Sequence, residues 1–251
     1  MTSREPFTSS TSGLRLIPCR GEVGFRVAKR AYPVVSAPVR TEDELRDDWG
    51  RYDTLGSTLY VAETARAAYA EVLSPFKQAN GAISALQVDA EAIGMTIEEF
   101  LEEIASEWGE RNFMGLGAVP AKWRELRAIH QILLPQTGWW VDVEHPDSIA
   151  AINEGLAGFL AGQGIPALDT SHLRGSNRSV TTTIAAFTQG RTLDDGTSPV
   201  GVHFGSRHGG AWCKAIWLHE DTELIPLGPE PVLVTDPDLA AAADNFRIRV
   251  F

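Results

Sequence analysis

Apolar runs of strand length occur near both ends of this 251-residue chain, and helix-patterned segments fill the stretch between them. That order constrains the fold more than any other feature, because a doubly wound α/β chain would alternate the two patterns throughout. It predicts an α+β fold, a single domain with a central mixed or antiparallel sheet. Val23–Ala28, Ser57–Ala62, Ile83–Val88, Gly138–Val143, Val200–Phe204, Ala211–Leu218 and Val232–Val234 read as strands, and Phe246–Phe251 as extended. Thr64 offers an N-cap for a helix over Ala65–Leu73 that Pro75 closes. Thr96-Ile-Glu-Glu99 has the form of a capping box opening a helix towards Trp108. Trp123–Leu133, Ser148–Leu160 and Val180–Phe187 also carry a helical pattern. The Ser- and Thr-rich start predicts a loose tail over residues 1–20 and one domain over 21–251, with a surface helical insertion at about 94–135.

Bulk properties exclude several function classes. The formal net charge is −11, from 33 acidic and 22 basic residues, which disfavours sequence-independent nucleic-acid binding. No stretch approaches the roughly 20 apolar residues of a membrane helix, and Met1–Thr11 has no apolar core of a secretory signal. Two cysteines, Cys19 and Cys213, are too few for a disulfide framework. Together these predict a cytoplasmic protein.

No Walker loop, dinucleotide-binding glycine fingerprint or Cys-x-x-Cys pair is present, and His219-Glu220 lacks a second His. His203, His208 and Cys213 are spaced so that a metal site and two turn histidines with a core cysteine both fit. The second reading is favoured because a fourth ligand is missing, and no metal is expected. Ser206, in Gly205-Ser206-Arg207-His208-Gly209, does not have the glycine offsets of a nucleophile elbow. Two readings stand for it: a plain turn between strands, or a phosphate cradle in which hydroxyl, arginine fork and backbone N–H groups converge. Glu71 sits among Ala67, Ala68, Tyr69, Ala70, Val72 and Leu73. It is either a solvated helix carboxylate or a charge held near Tyr60 to stabilise a ribosyl cation. Arg26 and Arg51, beside strand candidates, are either solvated edge residues or, with Arg207, the cations that bind two phosphates of a dinucleotide.

Taken in order, these residues resemble the RES-domain family, whose name records its Arg, Glu and Ser positions. Gly24-Phe25-Arg26-Val27 is similar to the first arginine segment. Gly50-Arg51-Tyr52, Leu59-Tyr60-Val61-Ala62-Glu63-Thr64 and Ala67 through Ala70-Glu71-Val72 are similar to the central Gly-Arg-Trp, Leu-Tyr and Ala-x-x-Glu run. Gly201-Val202-His203-Phe204-Gly205-Ser206-Arg207, followed by Gly209-Gly210, resembles the Ser motif. The likeness covers most of residues 24–218 and departs from the family at Tyr52, where Trp is usual, and in the long stretch Gly94–Pro135.

The resemblance implies a fold like that of ADP-ribosyltransferases and an NAD pocket built on Arg26, Arg51, Tyr60, Glu71 and Ser206, with Arg207 beside it. It implies cleavage of the nicotinamide–ribose bond by phosphorolysis or hydrolysis, in a toxin of a toxin–antitoxin pair. Glu71, Tyr60 and Arg51 would be catalytic; Arg26, Arg51, Tyr60, Ser206 and Arg207 would hold the substrate. NAD is then substrate rather than cofactor, inorganic phosphate a co-substrate, and the partners an antitoxin and further copies of the chain. Two alternatives stay open: ADP-ribosyl transfer to a macromolecule, and a non-catalytic nucleotide-binding module.

Overall fold

A computed structural model describes residues 5–77, 82–108 and 117–251. Among them are the strands β1 (Phe7–Thr8), β2 (Arg15–Pro18), β3 (Val23–Lys29), β4 (Val39–Arg40), β5 (Gly56–Ala62), β6 (Ala118–Val119), β7 (Arg127–Leu133), β8 (Trp139–Asp142), β9 (Gly201–Gly205), β10 (Trp212–Leu218), β11 (Ile225–Pro231) and β12 (Arg249–Val250). The helices are α1 (Ala65–Leu73), α2 (Ala82–Ala92), α3 (Ile97–Trp108), α4 (Ala121–Glu125), α5 (Pro146–Gly155), α6 (Ala157–Gly162), α7 (Thr170–Leu173), α8 (Arg178–Gln189) and α9 (Pro237–Asn245). No helix among the described residues is long and apolar enough to cross a membrane.

The chain forms two compact units. The first comprises the residues up to Arg26, Pro33–Thr64 and Gln131–Gly228; the second comprises Val27–Tyr32, Ala65–His130 and Pro229–Phe251. In the first unit the strand order is β1-β2-β8-β9-β10-β5-β3, with β4 also on β5. The sheet is mixed. Hairpin-like neighbours pair antiparallel, whereas β8 and β9 pair parallel because α5 to α8 lie between them in sequence and supply the crossover that a parallel pair requires.

Register assigns each side chain a face. Asp142, His203, Lys214 and Val61 form one row across β8, β9, β10 and β5. Val141, Val202, Ala215 and Tyr60 form the next row, on the opposite face. The first face carries an apolar cluster of Leu59, Val61, Trp140 and Ile216 with Cys19, Ile132 and Leu134. On the second face Tyr52, fully buried, packs its ring 4.7 Å from that of Phe204 and donates its hydroxyl to Leu173 O at 3.0 Å.

The second unit packs α1 against α9, whose buried residues include the small Ala67, Ala68 and Ala70 on one helix and Ala242 and Ala243 on the other, with Tyr69, Leu73 and Leu239. Tyr69 donates to Asp236, the N-cap of α9, at 2.7 Å. The parallel pair β6 and β12 lies in the same unit.

Several local expectations are corrected here. The tail expected over 1–20 is ordered from Phe7: Leu14 and Leu16 are fully buried, and β2 joins β8, so apolar burial outweighs the Ser-rich composition around it. The expected strand at Ile83–Val88 is part of α2, in line with its alanine content. Trp123–Leu133 is helical only as far as Glu125; Arg127–Leu133 is strand β7, so the 94–135 insertion is not wholly helical. Residues 109–116 of that insertion lie outside the described residues. The last long strand, β11, lies before Val232–Val234 rather than on it, and α9, which Asp236 caps and Pro237 opens, was not anticipated.

Candidate functional site

The turn that leads into β5 is built around one buried carboxylate. Asp53, 4% exposed, accepts from the Tyr60 hydroxyl, from Gly50 N–H and from Arg40 Nε, each at 2.8 Å. The Tyr60 oxygen in turn accepts from Tyr52 N–H at 2.8 Å, so its donor and one acceptor position are both spent on this turn. Burial, and then the adjacent Asp53 charge, hold the Tyr60 hydroxyl well above its ordinary pKa and keep it a donor. Gly50 is required by space: a Cβ there would lie 2.5 Å from the Tyr60 hydroxyl and 2.6 Å from Asp53 Oδ1.

This frame carries Arg51. The side chain is only 8% exposed, and its Nε and Nη1 have no hydrogen-bond partner among the described residues. What surrounds the guanidinium is aromatic, with Cζ 5.2 Å from the Phe204 ring centroid and 6.0 Å from that of Tyr52. A buried cation with unsatisfied N–H groups is costly, and a folded protein retains one where something else is to satisfy it.

Ser206 follows β9 at the head of the turn into β10. It is 2% exposed, donates its N–H to Ala211 O at 2.9 Å, and accepts from His208 N–H on its hydroxyl at 3.1 Å. The alternation along β9 directs it to the side of Phe204, the side of Tyr60 and Arg51. Arg207 is exposed in the same turn. The segment between β9 and β10 is a turn, which both readings of it require.

Arg26 does not join this group. Phe25 pairs with Ala62 and so shares the face of Tyr60, which directs Arg26 to the other face. There it donates to the backbone oxygens of Tyr60 at 3.2 Å and Ser36 at 3.4 Å, and burial lowers its pKa. The structure therefore gathers Arg51, Tyr60 and Ser206 on one face and gives Arg26 a role in bracing backbone. Glu71 belongs to the second unit. It lies half-buried on α1 beside the buried Ala70 and Leu73, and its backbone oxygen accepts from the Ser74 hydroxyl at 3.1 Å.

A cleft of about 550 Å3 opens at the ends of β8 and β9, lined by Glu63, Asp142, Glu144, His145, His203 and Trp212 among others. Glu144 binds Arg174 through two hydrogen bonds of 2.7 and 2.6 Å. A Cβ at Gly205 would lie 2.2 Å from Arg174 Nη2, so this glycine admits the arginine. Burial lowers the His203 pKa, and the nearby Asp142, Glu144 and Glu63 oppose that shift. His203 and Cys213 point to opposite faces, so the spacing noted in the sequence does not bring those two to one metal. Asp53, Arg40 and the Glu144–Arg174 pair escaped the sequence reading; an acidic residue following a Gly-Arg-Tyr turn was the one local signal for the first.

No family model and no curated protein matches the chain. Among solved structures it is similar to a chain of the M. tuberculosis MbcT–MbcA toxin–antitoxin complex, with 14% sequence identity over 92% of this chain and 91% of that one and a TM-score of 0.46. At that identity and score the likeness assigns neither fold nor activity to this protein.

Proposed function

We propose that this protein binds NAD and breaks its nicotinamide–ribose bond. The observation that carries the proposal is Arg51, a buried guanidinium with two nitrogens unsatisfied, on the same sheet face as the Ser206 turn. A phosphate oxygen accepts from such a fork in the charge-assisted geometry that makes these bonds strong. Ser206 and the exposed Arg207 then serve the ribose and the rest of the pyrophosphate. Tyr60 acts by holding the turn rather than through its hydroxyl, which Asp53 and Tyr52 occupy.

In the reaction the bond from ribose C1′ to the pyridinium nitrogen breaks, its electron pair neutralises the ring, and nicotinamide leaves. The remaining oxocarbenium-like centre is captured by phosphate or water, which loses a proton. Glu71 is the carboxylate proposed to steady that cation, on the strength of its motif from Ala67 to Val72. The fold would then be akin to that of the ADP-ribosyltransferases, and the protein a cytoplasmic toxin with an antitoxin partner.

Incubating the protein with NAD, with and without inorganic phosphate, tests this. Release of nicotinamide supports the proposal, and the second product distinguishes phosphorolysis from hydrolysis. NAD left intact in both incubations refutes it, and ADP-ribose found on a protein acceptor would replace it with transfer.

A further inference from the structure

The Arg51 cation has a carboxylate two residues away in its own turn and is not neutralised by it. Three N–H or O–H donors, none of them from Arg51, already bond the Asp53 carboxylate. Its Oδ1 holds the Tyr60 hydroxyl, and its Oδ2 holds both Gly50 N–H and Arg40 Nε. The pairing of β4 with β5, Arg40 opposite Gly56, delivers Arg40 to this place. Two further acceptors seat it there: Glu44 at 3.1 Å from Nη1 and the Asp48 carbonyl at 2.9 Å from Nη2. Arg40 is thus the cation that Asp53 has, and Arg51 is the cation that Asp53 is kept from.

We propose that Arg40 is a positioning residue for the anion site: by neutralising Asp53 it leaves Arg51 uncompensated and open to a phosphate, a role that rests on Arg51 binding phosphate. Coulomb attraction is strong where water is excluded, and Asp53 is 4% exposed. A carboxylate there that lost Arg40 would turn its charge to the nearest remaining cation. Arg51 precedes Asp53 by two residues, and its charge already acts on the Tyr60 hydroxyl that Asp53 holds. A phosphate would then have to displace an internal carboxylate before binding. The substrate class this arrangement selects is a phosphate diester or diphosphate with no positive charge of its own at the contact.

The test is calorimetric titration of inorganic pyrophosphate, and separately NAD, into the full chain and into variants first shown to melt cooperatively. Arg40→Met should weaken pyrophosphate binding on the order of tenfold, as expected for a charge-assisted contact that must compete with an internal partner. Arg40→Lys, which keeps a cation, should stay within about threefold of the parent. The double variant Arg40→Met/Asp53→Asn should recover to within about threefold, a rescue that loss of a merely structural contact would not produce. If Arg40→Met does not melt cooperatively, Arg40→Gln takes its place in both the single and the double variant. Unchanged affinity in the Arg40 single variant, or a double variant no tighter than the single, overturns the proposal while Arg51→Met still weakens binding about tenfold or more. If Arg51→Met binds pyrophosphate as the parent does, the phosphate role of Arg51 itself fails.

Discussion

Arg51→Met separates a functional arginine from a structural one, because the two predict opposite signs for stability. The substitution keeps an unbranched side chain against Phe204 and Tyr52 while removing a charge that is 8% exposed. Two nitrogens lack partners among the described residues, and each unsatisfied buried donor costs about 1–3 kcal/mol. Against that stand the loss of the cation–π contacts with Phe204 and Tyr52, worth roughly 0.5–2 kcal/mol, and the loss of the hydrogen bond to the Tyr52 hydroxyl, worth about 0.5–1.5 kcal/mol. The midpoints of these ranges leave a variant about 2 kcal/mol more stable than the parent, which for a chain of this size raises Tm by about 2–4 °C per kcal/mol. Pyrophosphate and NAD affinity should move the other way, by about 1.5–3 kcal/mol, or roughly ten- to a hundredfold. Turnover at saturating NAD should fall less than affinity, since the phosphates do not change charge in the reaction. Differential scanning calorimetry and titration calorimetry on one preparation read both quantities. A lower Tm together with unchanged pyrophosphate affinity would refute the reasoning, because Arg51 would then be holding the fold together.

Two other outcomes are expected. Glu71→Gln should leave melting and NAD affinity near parental and lower nicotinamide release about a hundred- to a thousandfold, since only the transition state needs the charge; near-parental release would make Glu71 structural. Lys214, 3% exposed and in contact with Glu22, has its pKa drawn from 10.5 down to about 7 by burial. From pH 7 upward the folded state sheds this proton while the unfolded chain keeps it, so stability should rise with pH. Burial holds the Cys19 thiol up at about 12 from 9.0, which gives the opposite slope above pH 9, so the comparison belongs between pH 7 and 9. Over that window Lys214→Met should flatten the slope of chemically measured unfolding free energy, and equal slopes in parent and variant would count against the shift.

Where local pattern and long-range pairing agree, the sequence alone was sufficient. Helix α1 has the limits expected from Thr64 and Pro75, and Thr96 and Glu99 make the reciprocal capping bonds their spacing requires, at 3.2 and 2.9 Å. Strands β5, β9 and β10 were equally plain, because side chains that alternate between two buried faces leave a run of β-branched and aromatic residues. The segment Arg127–Leu133 was not: Ala128, Ile129 and Ile132 satisfy a helical stripe as well as a strand, and tertiary pairing chose the strand.

The site divides along the same line. Gly50, Arg51, Tyr60 and Ser206 were identifiable as a set from the motifs they occupy. What each does was not, since a motif specifies residue types and not the partners of their atoms. Arg26 and Arg51 look equivalent in sequence, yet the pairing of Phe25 with Ala62 directs Arg26 to the far face, where backbone oxygens accept from Nη1 and Nη2 and only Nε lacks a partner among the described residues. Strand parity relative to a partner strand is invisible until the register is known. Likewise the neutralisation of Asp53 depends on Arg40, thirteen positions away and brought in by β4, while Arg51 has no carboxylate within ion-pair distance among the described residues. Residue identity and local period are properties of the chain, but which buried charge goes unpaired is settled only when the sheet brings distant side chains into one low-dielectric place.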